Sequence, residues 1–175
     1  MEINTKIIAL TAVGIALVAV IVASVPVPIP ATGGFTHPGA VAEIFIALAF
    51  GPLVGGLSAG FGAAIADLVL GYGSFAPLTF VAHGALGFLA GWLGRKKGWG
   101  GYIRAWIVGG LALVALYFLG EATFYGFGIA GAAAEVPINL FQVGLGFLGI
   151  LLLNLVKRAY PQIDQMAEDS SFTEI

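Results

Sequence analysis

Gly51-Pro52 interrupts an apolar stretch that otherwise runs over residues 35–91, and the interruption governs how often the chain can cross a membrane. As one helix, residues 39–70 would be about 48 Å long, well beyond a hydrocarbon core of about 30 Å. Proline removes a backbone donor and disfavours helix at the residue before it, so two helices meeting at this step fit better. That the solvent is lipid follows from composition: 59% of the residues are hydrophobic and 9% are charged, where a soluble domain carries about a quarter charged residues. The charges also choose between one crossing and two. The seven basic residues are Lys6, Arg95, Lys96, Lys97, Arg104, Lys157 and Arg158. A double crossing by residues 39–70 puts all of them on one side, in keeping with the Lys/Arg excess of cytoplasmic loops; a single crossing splits them.

The remaining segments follow from this. Residues 7–25 are uninterrupted apolar sequence, long enough to span. A cleaved signal peptide is the competing possibility, but the run is long for a signal h-region, and it is taken as a retained first helix. Its alanines Ala12, Ala16, Ala19 and Ala23 fall within about 40° of Ala12 at 100° per residue and make one smooth face. Three prolines in residues 25–34 predict an extended, polyproline-like external loop. Phe35, Thr36 and His37 follow it, just before Pro38. Helix 4 is expected over 77–93, ending at the Arg95-Lys96-Lys97 loop, with Trp92, Trp99 and Trp106 as interfacial anchors. Helix 5 is expected from 103 to about 129, a small turn over 128–134, and helix 6 over 136–155. The expectation is an all-α integral membrane protein with six transmembrane helices, both termini cytoplasmic, and a structured external loop between helices 1 and 2. Residues 1–160 form the membrane domain and 161–175 a short acidic cytoplasmic tail, frayed or disordered.

With this topology Glu43, Asp67, Glu121 and Glu135 fall in the outer half or at the outer edge. Tyr117, Glu121 and Tyr125 share a face of helix 5; Glu135, Asn139 and Gln142 share one on helix 6; Thr79 and His83 are one turn apart on helix 4. Polar residues on spanning helices face the bundle interior or a water-filled cavity, so these stripes predict one outward-facing pocket capped by Phe35–His37. Candidate lining residues are Phe35, His37, Thr79, His83, Glu121, Tyr125, Asn139 and Gln142. Plainer roles compete. Asp67 and Glu135 read best as helix-end residues, the latter favoured by the helix dipole. Glu43 divides evenly between a first-turn role and a functional one, His37 can simply tie the loop down, and Asn139 and Gln142 can serve as interhelical glue. Tyr125 and Phe35 supply aromatic faces and Asn139 and Gln142 donate and accept, which suits a small flat heterocycle.

Several classes of function find no support. The chain has no cysteine, hence no thiol chemistry or thiolate metal site. Two histidines, His37 and His83, are too few for a histidine metal site, and no nucleophile elbow or phosphate-binding loop is present. Neither enzyme activity nor a cofactor is expected, nor can the chain use ATP itself. A net charge of −2 without a basic stripe offers nothing to nucleic acid.

Five short motifs carry a family resemblance: F-G-P-L-V-G at 50–55, A-D-L-V-L-G-Y at 66–72, A-P-L-T-F at 76–80, H-G-A-L-G at 83–87 and V-P-I-N-L-F-Q at 136–142. Over residues 8–158 the chain resembles the substrate-binding S components of energy-coupling factor (ECF) vitamin transporters, closest to the riboflavin and hydroxymethylpyrimidine group. The resemblance implies a prokaryotic plasma-membrane protein that binds a vitamin or precursor outside. It would release it after toppling within a complex with a transmembrane coupling subunit and two cytoplasmic ATPases. It also implies that Ala12 and Ala16, extended by Ala19 and Ala23, contact the coupling subunit. The chain departs from the pattern at His83, where many of the group carry lysine, and at Thr36-His37, where an asparagine is common. The alternative is a stand-alone channel or secondary carrier, which needs polar groups continuing to the cytoplasmic half.

Overall fold

A computed structural model describes residues 5–30, 32–95, 97–163 and 165. Among them lie six helices and one two-stranded ribbon: α1 Thr5–Ser24, β1 Val27–Ile29, β2 Gly34–Thr36, α2 Ala40–Phe50, α3 Pro52–Leu70, α4 Ala76–Gly94, α5 Gly98–Thr123 and α6 Gly128–Ala159. The break at Gly51-Pro52 is as the sequence predicts. Gly51 takes φ 92°, a conformation that side-chain-bearing residues rarely adopt, and Pro52 opens α3. The Arg95 side chain packs over Gly51.

Neighbouring contacts fix the helix directions. Gly14 lies against Ser58 and Gly62 against Val18, so α1 and α3 run parallel. Gly60 meets Phe80 and Gly55 meets Gly87, so α3 and α4 form an antiparallel hairpin. At Gly55 and Gly87 the backbones touch: an added Cβ on Gly87 would stand 2.3 Å from the Gly55 carbonyl oxygen. Such close approach through small residues suits helices that lack a hydrophobic drive to associate in lipid. Helix α5 is antiparallel to both α4, through Gly109 on Leu86 and Gly120 on Leu78, and α6, through Gly110 on Val143. Glu43 meets His83 and Leu48 meets Gly94, so α2 runs parallel to α4. Helices α1, α3 and α5 thus run one way and α2, α4 and α6 the other. The β-ribbon and the α3–α4 and α5–α6 connections share one end. Lys6, Arg95, Lys97, Arg104, Lys157 and Arg158 fall at the other.

Helix α2 is the shared element of two apolar clusters, one around Leu48, Leu86, Leu113, Ile150 and Leu153, the other around Val18, Val22, Ile46, Val54 and Ala63. Five helices (α1, α3, α4, α5 and α6) are long and apolar enough to cross a membrane. At 11 residues, α2 is about 16 Å long, about half a hydrocarbon core. The chain before it is non-helical yet buried: Thr36 and His37 are 9% and 5% exposed. Backbone donors at such depth need partners. His37 N donates to Gln142 Oε1 at 3.2 Å and Gly39 N to His37 Nδ1 at 3.2 Å.

Some elements differ from expectation. The proline-rich loop is not polyproline-like: β1 and β2 pair antiparallel with Pro28 opposite Phe35, which a two-stranded ribbon tolerates because each strand is an edge. Helix α5 stops at Thr123 and α6 begins at Gly128, so 128–134 is helix and not a turn; Gly126 and Gly128, at φ 72° and 67°, make the break. Pro137 consequently sits inside α6 rather than near its start. Trp106 is half-buried, and its Nε1 donates to the Val143 carbonyl at 2.7 Å. In the expected tail, Ile163 is buried against the core, whereas residues 164 and 166–175 lie outside the described part.

Candidate functional site

Elements β2, α3, α4, α5 and α6 converge at the ribbon end of the bundle around one cavity. Its lining includes Phe35, His37, Thr79, Glu121, Asn139 and Gln142, six of the eight candidate residues, together with Asp67, Phe75, Tyr117 and Glu135. The space is small. About 20 Å³ is open to the centre of a water-sized molecule, room for about one ordered water.

The loop from β2 forms the roof and is tied down from α6. Gln142 Oε1 accepts from Thr36 Oγ1 at 2.7 Å and from His37 N at 3.2 Å, which leaves the Gln142 amide hydrogens for other partners. Because Gly39 N–H donates to His37 Nδ1, a neutral His37 carries its ring hydrogen on Nε2. Thr32 donates to Glu135 and so pins the ribbon turn to α6. Phe35 packs on Tyr72 with ring centres 4.6 Å apart.

The wall is a polar chain across three helices. Tyr117 donates to Thr79 Oγ1 at 2.9 Å, and Thr79 is within hydrogen-bond reach of Asp67. Glu121 and Glu135 are neighbours across the α5–α6 contact. Glu121, Asp67 and Glu135 are 1%, 3% and 4% exposed, so neither Asp67 nor Glu135 is the water-facing helix-end group that the sequence suggested. Glu135 lies in the second turn of α6, past the reach of a helix-start dipole.

Two candidates lie outside the lining. His83 sits behind the wall, fully buried, with Nδ1 2.9 Å from each carboxylate oxygen of Glu43. Its ring lies 5.3 Å from that of His37 and edge-on to Tyr117 at 5.9 Å. Tyr125 falls beyond the end of α5, so the four-residue spacing from Tyr117 and Glu121 no longer holds. Its hydroxyl donates to the Ser74 carbonyl at 2.6 Å and its ring stacks on Phe75 at 5.1 Å. The lining residues that sequence reasoning passed over are Asp67, Glu135, Phe75 and Tyr117. Tyr117 had a usable signal in its spacing of four from Glu121; Phe75, just before a helix start, had none.

On α1, Gly14, Val18 and Val22 are buried against the bundle, while Ala12 and Ala16 are exposed and Ala19 and Ala23 half-buried. Ala12 and Ala16 therefore point away from the internal contact with α3, whereas Ala23 packs against the cluster around Val18 and Val22.

Comparison with known proteins places the chain in a family. The family described as "ECF-type riboflavin transporter, S component" matches residues 2–158. A protein from Pyrococcus woesei described as "Uncharacterized protein in gap 3'region" is 36% identical over 143 residues, 80% of this chain and 95% of that one. The thiamine precursor transporter HmpT of Lactococcus lactis subsp. cremoris (strain MG1363) is 31% identical over 160 residues, 89% of this chain and 90% of that one. With its apolar helices, its polar cavity and a match along nearly the whole sequence, the chain belongs to the family of ECF-type riboflavin transporter S components.

Proposed function

We propose that this chain is the substrate-capturing subunit of an ECF importer. It binds a water-soluble vitamin or precursor (riboflavin, a thiamine-precursor pyrimidine or a B6-like heterocycle) in the cavity beneath Phe35–His37. It delivers it together with a transmembrane coupling subunit and two cytoplasmic ATPases. The observation that carries this reading is that the cavity is blind. Its polar lining ends at the level of His83, and below lie Leu86, Ala90, Leu113, Ile150 and Leu153, all buried and apolar. A channel or carrier would need a polar path through that layer. The exposed Ala12 and Ala16 face is then the contact for the coupling subunit, because small residues let another helix approach closely.

The functional test is uptake by cells that carry the coupling module, compared with binding by the isolated chain. Ala16→Trp should abolish ATP-dependent uptake and leave binding intact, since Ala16 makes no tight internal contact to overfill. Undiminished uptake by this variant sinks the docking face, and uptake without the ATPases sinks the S-component reading in favour of a carrier.

The accompanying topology has six crossings, with α2 and the buried loop before it making the second, residues 1–160 as one membrane domain and both termini in the cytoplasm of a prokaryotic cell. It puts every basic residue on the cytoplasmic side. In the cysteine-free chain, Ser74→Cys should react with an impermeant thiol reagent on intact cells and Lys97→Cys should not. The reverse pattern rejects the topology.

A further inference from the structure

Several hydrogen-bonding atoms around the cavity are already engaged by the chain itself. Gln142 Oε1 holds the loop, His37 Nδ1 accepts from Gly39, the Tyr117 hydroxyl donates to Thr79, and Glu135 accepts from Thr32. Three buried carboxylate oxygens are not engaged: Asp67 Oδ2 and both oxygens of Glu121. Their residues are 3% and 1% exposed, and both line the cavity. A proton shared with neighbouring Glu135 satisfies only one Glu121 oxygen. Buried acceptors without donors are costly, and natural structures rarely keep them without a reason.

Among the described residues no Lys or Arg side chain answers these acids. Neither Lys nor Arg lines the cavity, and the described basic residues lie at the opposite end of the bundle. A metal ion does not fit either, since the described residues hold no group of three or more His or acidic side chains arranged to ligate one. A single water of the size the cavity admits can supply donors here; a ligand that displaces it must bring donors of its own. Phe35 and Phe75 also line this space, and aromatic side chains suit a flat and, better still, a positively charged partner.

We propose that the site selects an aromatic heterocycle bearing an amino group or a protonated ring nitrogen, with its N–H groups held by Asp67 and Glu121. It discriminates against phosphorylated forms of the same compound. Phosphate oxygens brought against unpaired carboxylates add like charge and acceptor-to-acceptor contact, and rejection of a near relative works through repulsion of this kind. The proposal rests on the reading of this cavity as the capture site and narrows its substrate class.

Titration calorimetry of the detergent-purified full-length chain tests it with three probes. These are 4-amino-5-hydroxymethyl-2-methylpyrimidine, the phosphate ester of that compound, and riboflavin, which has no amino group. The aminopyrimidine should bind most tightly, its phosphate ester at least about tenfold more weakly, and riboflavin more weakly than the aminopyrimidine. Glu121→Gln and Asp67→Asn should each weaken aminopyrimidine binding by at least about tenfold, the usual range for a hydrogen bond to a charged group. Gel-filtration profiles and unfolding temperatures like the parent's show that these near-isosteric variants fold. Aminopyrimidine binding unchanged by both substitutions overturns the proposal, as does a phosphate ester that binds as well as its parent. Tighter binding of riboflavin overturns it too, yet leaves the capture site standing. Failure of all three probes to bind counts against both the proposal and the capture site.

Discussion

Glu43 and Glu121 are equally hidden from solvent, at 0% and 1% exposure, yet the chain treats them in opposite ways. Glu43, on α2, has His83 Nδ1 within 2.9 Å of both its oxygens. Glu121, on α5, meets no donor on either oxygen beyond a proton it can share with Glu135. The first pair sits behind the cavity wall, where α2 and α4 run side by side; the second group sits in the wall itself. An acid built into the fold carries its own counter-group, because a lone buried charge is expensive. An acid left open at a cavity is one whose partner comes from outside. Burial alone does not separate structural from functional charge in this molecule, but the accounting of partners does.

The sharpest way to break this contrast is to remove the partner that meets the Glu43 carboxylate, His83, whose own Nε2 has no hydrogen-bond partner. His83→Leu leaves Glu43 buried and unpaired, and losing one member of a buried pair typically costs about 3–5 kcal/mol. The unfolding temperature of the detergent-solubilised variant should therefore fall steeply. Glu121→Gln, examined the same way without ligand, should hold or slightly raise it, because a neutral amide replaces an unpartnered acid. Equal losses in the two variants would show that Glu121 is as structural as Glu43 and remove the distinction.

The sequence made the larger elements legible and blurred the finer ones for physical reasons. Gly51-Pro52 marked the α2–α3 break because a positive-φ glycine before a proline leaves little alternative. Tyr117, Glu121, Asn139 and Gln142 were visible as stripes because helical periodicity carries through α5 and α6. Tyr125 was misplaced because the spacing argument assumed that α5 continued past Thr123, whereas Gly126 and Gly128 end it. Asp67 and Glu135 were discounted as helix-end groups, yet the first is packed against α4 and the second holds the ribbon through Thr32. Those partners come from other helices or from a loop, so no local pattern announces them. His83 and Glu43 are 40 positions apart, and each alone looks like a candidate ligand contact; only together do they become a support.

A smaller effect should come from the loop tether, which lies between these two regions. Gln142 Oε1 takes both the Thr36 hydroxyl and the His37 backbone N–H, in a segment where backbone donors have no water to fall back on. Gln142→Ala strands them, and an unmet buried donor costs about 1–3 kcal/mol, less than the loss expected from breaking the Glu43 pair. The cost falls on the segment from Gly34 to Gly39 rather than on the helices, since α2 and α6 also pack through Ile44 on Gly146. Hydrogen exchange read by mass spectrometry should show faster exchange in peptides covering His37, with α4 and α5 unchanged. Gln142→Glu supplies the decisive comparison: it keeps the acceptor for Thr36 and His37 and removes the amide donors that face the cavity. Loop protection should survive in Gln142→Glu and be lost in Gln142→Ala. If Gln142→Ala exchanges like the parent, the roof is held by the β-ribbon and the Thr32–Glu135 contact alone, and Gln142 belongs with Glu121 among the groups left open for a ligand.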